Sequence, residues 1–144
     1  MIAPPAKPSK PRLDQPEQAH MRAAGVADSF RYAFAGLRYL LWTQRNAKIH
    51  SAIGLAAIAL GVVLGLNRYE WLILTLTIAI VLAAEGVNTA LEAAVDLASP
   101  NYHPLAKIAK DVGAGTVLLT ALAAVIVGLL LFLPYLLPLV LSWL

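Results

Sequence analysis

The sequence predicts an all-α membrane protein in which an N-terminal amphipathic surface helix precedes three transmembrane helices. Three observations lead there. Of 144 residues, 60% are apolar, and the mean hydropathy is +0.72. Charged residues are scarce, 11 basic plus 8 acidic making 19, whereas a soluble domain carries roughly a quarter. Three apolar stretches long enough to cross a bilayer, at about 49–67, 71–97 and 105–133, are separated by short polar segments. The absence of cysteine excludes a disulfide framework, a thiolate zinc site and a cysteine nucleophile.

Residues 1–20 hold five of the nine prolines and no periodic apolar pattern, so they read as a flexible Pro/Lys-rich tail. No apolar run of signal-peptide type lies close behind the basic stretch, and the segment is expected to be retained. Residues 21–44 read as the surface helix. Phe30, Phe34, Leu37 and Leu41 fall on one stripe, and Arg31, Arg38 and Arg45 recur on another. Such a helix suits a bilayer surface or the flank of other helices.

In the first span, Ser51 to Asn67 carries no charge, and Ala57, Gly61 and Gly65 at four-residue spacing invite close approach of a second helix. Residues 67–70 form the turn, followed by Trp71 as an interfacial anchor. The third span continues a stretch, Val112 to Leu144, that has no charge. Pro134 and Pro138 are expected to break its helix, leaving 134–144 as an apolar C-terminal extension.

Eight of the 11 basic residues precede residue 50. By the positive-inside rule the N-terminus is cytoplasmic, the 67–70 turn outside, the 98–106 loop inside and the C-terminus outside. The net charge of +3 thus reads mainly as topology, and no nucleic-acid partner is expected.

The second span is unusual in carrying Glu85, Asn88, Glu92 and Asp96. With Glu85 at 0° on a helical wheel, Asn88 lies at about −60°, Glu92 at about −20° and Asp96 at about +20°. All four therefore share one face, which must meet protein, water or a metal because carboxylates in lipid are costly. His103, Lys107, Lys110 and Asp111 cluster at the start of the third span, and Asn46, Lys48 and His50 at the start of the first. The topology gathers the three sets at the cytoplasmic boundary. Oxygen ligands suit Mg²⁺ with nucleotide phosphates, a lysine suits a phosphate, and a further carboxylate suits proton removal from an attacking hydroxyl. Neither a Walker-type loop nor a protein-kinase motif set is present, so any ATP site is built from these helices. A proton or cation channel or carrier lined by Glu85, Asn88 and Glu92 competes with an enzyme on equal terms at this level. A structural, membrane-shaping role for the surface helix is a third reading. Asp96 alone reads as a boundary residue paired with a lysine, and His103 as a solvated loop residue.

The strings EGVNTALEAAVDL (85–97) and NYHPLAKIAKDVGAG (101–115), with SFRYAFAGLRYLLW (29–42) and RNAKIH (45–50) before them, resemble the prokaryotic integral-membrane diacylglycerol kinase and undecaprenol kinase family. The resemblance covers about residues 28–133, making 21–133 the lipid kinase domain. It implies a homotrimer in the inner (cytoplasmic) membrane, with Mg²⁺ as cofactor, ATP as co-substrate and a membrane lipid as substrate. Position by position it implies Glu85 as general base and Glu92 as metal ligand, with Asn88 and Asp96 in support. Tyr32, Glu92, Asn101, Tyr102, His103, Lys110 and Asp111 match ATP contacts. Arg38, Asn46, Lys48, His50 and Glu85 match the lipid side. A second metal-binding glutamate usual in the family is here Gln44, whose amide oxygen can coordinate Mg²⁺ but removes a negative charge. The implied reaction is phosphorylation of diacylglycerol to phosphatidic acid, with undecaprenol to undecaprenyl phosphate as the alternative.

Overall fold

The structure is a computed structural model that describes residues 25–141. The expected tail at 1–20 lies outside the described residues. Four helices follow in order: α1 (Val26–Thr43), α2 (Arg45–Leu64), α3 (Arg68–Ala98) and α4 (Pro104–Leu141). The last three are long and apolar enough to cross a membrane. Among the described residues there is no strand.

The chain divides into two units, Met1–Gly36 and Leu37–Leu144. In the first, the described residues form the opening turns of α1, with Ser29 Oγ donating to the Gly25 carbonyl at 3.3 Å and Phe30 and Phe34 exposed. The remaining residues of α1 and the three long helices make up the second unit.

The arginine repeat expected on one surface helix does not survive intact, because Gln44 interrupts the helix and Arg45 opens α2. Gln44 is extended, at φ −89° and ψ 118°. Its N–H closes α1 on the Leu40 carbonyl at 3.0 Å, and its own carbonyl accepts from Lys48 N–H at 3.2 Å. A single residue thus joins two helices. Leu40 is buried and packs near Gly86 of α3.

The turn between α2 and α3 is shorter than the expected 67–70. Gly65 adopts the left-handed conformation, φ 70° and ψ 44°, which a residue with a Cβ disfavours. The Gly65 and Leu66 N–H groups then bond back to Val62 and Gly61 carbonyls at 3.3 and 3.1 Å, closing α2 with a Schellman pair. Asn67 caps α3 in a capping box: its Oδ1 accepts from Tyr69 and Glu70 N–H groups, and Glu70 Oε2 accepts from Asn67 N–H at 2.7 Å. Residues 68–70 therefore belong to the helix. Gly65, expected in a packing stripe, serves the turn instead. Gly61 does serve close packing, since a Cβ there would sit 2.8 Å from Leu66 Cδ1.

The helix expected to break at Pro134 continues through Pro134 and Pro138 to Leu141. Tertiary contacts supply the reason. Leu131 and Phe132 lie in a core with Leu66 and Leu74, and Tyr135 packs against it. Tyr135 also donates its hydroxyl proton to Glu70 Oε2 at 2.7 Å. These contacts hold the segment on course while proline removes individual backbone bonds, a loss that membrane helices tolerate.

Candidate functional site

The expected polar row on α3 is present, and each member has a distinct neighbour. Glu85 is the buried charged residue of the described chain, 2% exposed. Its Oε1 lies 3.4 Å from Nε2 of His50 on α2, an electrostatic contact longer than a well-made hydrogen bond. That oxygen has no hydrogen-bond partner among the described residues. Three residues along, Asn88 Nδ2 donates to Glu92 Oε1 at 2.9 Å. At the end of the row, Lys110 Nζ of α4 donates to Asp96 Oδ1 at 2.7 Å.

The register of α4 on this row depends on Gly113, which lies within the string 101–115 but is not among the expected site residues. Gly113 lies one helical turn beyond Lys110, and a Cβ there would collide with Asn88 Oδ1 and come 3.0 Å from Leu91 Cδ2. The i, i+3 spacing from Lys110 is a hint in the sequence. Ser51 is not among the expected site residues either, and its hydroxyl is buried without a hydrogen-bond partner among the described residues.

Other expected site residues stand apart. Asp111 accepts from Lys107 on an exposed side of α4, away from the Asp96–Lys110 pair. Asn101 and Tyr102 are exposed in the loop before α4. His103 is exposed too, but its ring supports the start of α4, with Nδ1 accepting from Leu105 N–H at 3.2 Å just before Pro104 opens the helix. Lys48 is exposed, and Gln44 is half-buried with Nε2 donating to Thr43 Oγ1 at 3.4 Å. The Arg38 guanidinium stacks on Trp42 at 5.4 Å. Tyr32 belongs to the N-terminal unit, where the Arg31 guanidinium lies 5.6 Å from its ring.

Two interhelical cavities share His50 and Ala121 in their walls. The larger, about 440 Å³, is almost wholly apolar and includes Gly54, Ala57, Ile78, Val81 and Phe132 in its wall. The smaller, about 260 Å³, is bordered by Asn46, Ala114 and Val117 among others. His50 lines both, whereas Glu85 lines neither.

The donor set fits Mg²⁺ in kind. Asn88 Oδ1 is buried with no hydrogen-bond partner among the described residues, beside the Glu92 carboxylate that accepts from the same amide. A carboxylate and a carbonyl oxygen are the ligands that this ion takes, few in number and completed by water and phosphates. Among the described residues no three His, Cys, Asp or Glu side chains gather as a ready-made metal site.

Three long apolar helices carrying acids, an amide and a lysine on facing sides define an integral-membrane protein with a polar row inside its bundle. A profile of the prokaryotic diacylglycerol kinase family matches residues 31–132, and the chain belongs to that family. It is a membrane lipid kinase. The chain is 48% identical over 134 residues to a diacylglycerol kinase of Synechocystis sp., covering 91% of this chain and 77% of that protein. It is 42% identical over 106 residues to an undecaprenol kinase of Bacillus subtilis, covering 74% and 86% respectively. To a diacylglycerol kinase of Escherichia coli K12 it is 30% identical over 95 residues, covering 66% and 78%.

Proposed function

We propose that this chain transfers the γ-phosphate of ATP to the hydroxyl of diacylglycerol, giving phosphatidic acid and ADP. The observation that carries the reading is the buried Glu85 carboxylate on one helical face with the Asn88–Glu92 pair and the Asp96–Lys110 pair. In the reaction the lipid hydroxyl oxygen attacks the γ-phosphorus, the bond from that phosphorus to the β–γ bridging oxygen breaks, and the hydroxyl proton passes to Glu85. Lys110 has three N–H donors, so it can keep Asp96 and still reach a phosphate. Glu92 and Asn88, with Gln44 as a further oxygen donor, would hold Mg²⁺, which neutralises phosphate charge when bound. Asn101, Tyr102, His103 and Asp111 are the nucleotide contacts in this reading, and Arg38, Asn46 and Lys48 serve the lipid headgroup. The apolar cavity that ends at His50 suits the lipid's hydrocarbon tail.

The active assembly in this proposal is a homotrimer in the inner membrane with the N-terminus cytoplasmic. The early excess of Lys and Arg supports that orientation, which brings cytosolic ATP to the polar ends of α3 and α4. A second substrate, undecaprenol, is favoured by the likeness to the Bacillus subtilis undecaprenol kinase. Purified protein in mixed micelles, given γ-labelled ATP and each lipid in parallel, tests both. Label in phosphatidic acid supports the first reading, and label confined to undecaprenyl phosphate supports the second. Ion flux without ATP and no labelled lipid would replace both with a channel.

A further inference from the structure

We propose that His50 is a catalytic residue, relaying the proton from the lipid hydroxyl to Glu85. The inference rests on the lipid kinase reading above and adds a step to it. Glu85 is 2% exposed and borders neither cavity, so a hydroxyl arriving along either one does not meet its carboxylate directly. His50 borders both, and its Nε2 lies 3.4 Å from Glu85 Oε1. The other polar residues bordering the cavities are Asn46 and Thr77, whose amide and hydroxyl are poor proton acceptors. From α4 only Ala114, Val117, Leu118 and Ala121 face the smaller cavity, and none of them competes for the proton. Glu85 Oε1 is buried without a hydrogen-bond partner among the described residues, so it has an acceptor site to offer, and the transfer requires the His50 N–H to turn onto it from 3.4 Å away.

The transfer balances. The lipid O–H bond breaks as its oxygen forms the new bond to phosphorus, and the proton goes to His50 Nδ1. The Nε2 proton moves to Glu85 Oε1, and the ring ends neutral in the other tautomer. Glu85 ends as a carboxylic acid and later releases its proton to water by the reverse path through His50. In apolar surroundings this route avoids leaving an imidazolium beside a carboxylate, an ion pair whose desolvation is costly. The 3.4 Å separation is long for transfer, but catalytic contacts of this kind tighten when substrate is bound.

The test compares wild type, His50→Gln, His50→Ala and Glu85→Gln in mixed micelles with diacylglycerol, undecaprenol, ATP and Mg²⁺. Helical circular dichroism and melting temperature are measured alongside. The relay predicts that His50→Gln lowers kcat by roughly 100-fold while KM for lipid and ATP stays near wild type. It also predicts that added imidazole restores part of the kcat of His50→Ala and none of that of Glu85→Gln. Should His50→Ala fail to fold, the kcat and KM of His50→Gln decide alone. Wild-type kcat in His50→Gln, a loss confined to lipid KM, or a folded His50→Ala insensitive to imidazole overturns the relay. Absence of lipid phosphorylation by wild type overturns instead the reading on which the relay rests.

Discussion

Lys110 on α4 reaches back across the 99–103 connection to Asp96 on α3, Nζ to Oδ1 at 2.7 Å. The Asp96 side chain is 65% exposed, and such surface pairs contribute little to stability. The pair instead parks a cation within the electrostatic reach of Glu92. Lys110→Ala is expected to lower kcat by roughly 100-fold, as loss of a positioned phosphate-side charge does. Asp96→Asn should leave the melting temperature unchanged and alter mainly the KM for ATP. Steady-state kinetics of the two variants check both expectations.

Gly113 allows α4 to approach Asn88 and Leu91, and Gly115, two residues on, has nothing within 4 Å of an added Cβ. Gly113→Ala is expected to destabilise the protein by about 1–3 kcal/mol through overpacking and to lower activity by displacing Asn88. Gly115→Ala is expected to stay within about 0.5 kcal/mol of wild type. Reversible unfolding in detergent, with activity measured on the same samples, separates the two glycines.

At the far end of the bundle, Tyr135 donates to Glu70 Oε2, the same oxygen that accepts from Asn67 N–H. Tyr135→Phe removes one of these bonds at a distance from the Glu85–Asn88–Glu92 row. Its expected signature is a lower melting temperature with unchanged kcat at low temperature. A thermal melt and an assay at roughly 10 to 20 degrees below the wild-type transition reveal whether the two effects separate.

These elements differ in how legible they are from sequence. The spans show as uncharged apolar runs, and the α3 row shows as residues 85, 88, 92 and 96 returning to one face with the helical period. Contacts between elements leave no such mark. The His50–Glu85 approach joins residues from two helices, and the course of α4 past Pro134 depends on Glu70, 65 residues earlier than Tyr135. A local rule for proline predicts a break there because it takes no account of packing. Gly65 falls in a small-residue stripe by its spacing, but its positive φ assigns it to the turn. The α3–α4 pairing is legible in outline, from the loop joining them, while the division between Lys110 on the shared face and Asp111 on the exposed one emerges only from the packing.

Gln44 carries an amide where the related kinases are expected to hold a carboxylate. It is the one-residue joint between α1 and α2 and makes no side-chain cap bond to α2. Gln44→Glu therefore has room to act electrostatically without breaking a helix cap. The variant is expected to reach half-maximal activity at lower Mg²⁺, because an added negative charge strengthens binding of a hard divalent cation. A Mg²⁺ titration of activity at fixed ATP tests this, and identical curves for the two proteins count against a metal role for residue 44.

Phosphoryl transfer to a lipid through the buried carboxylate on α3 is tested most directly by following label from γ-labelled ATP into the lipid fraction, with wild type and Glu85→Gln side by side at matched folding. Labelled lipid is expected from wild type, and at least about a 100-fold slower rate from Glu85→Gln, with ATP binding retained. Equal labelling by the two proteins would contradict a catalytic role for Glu85.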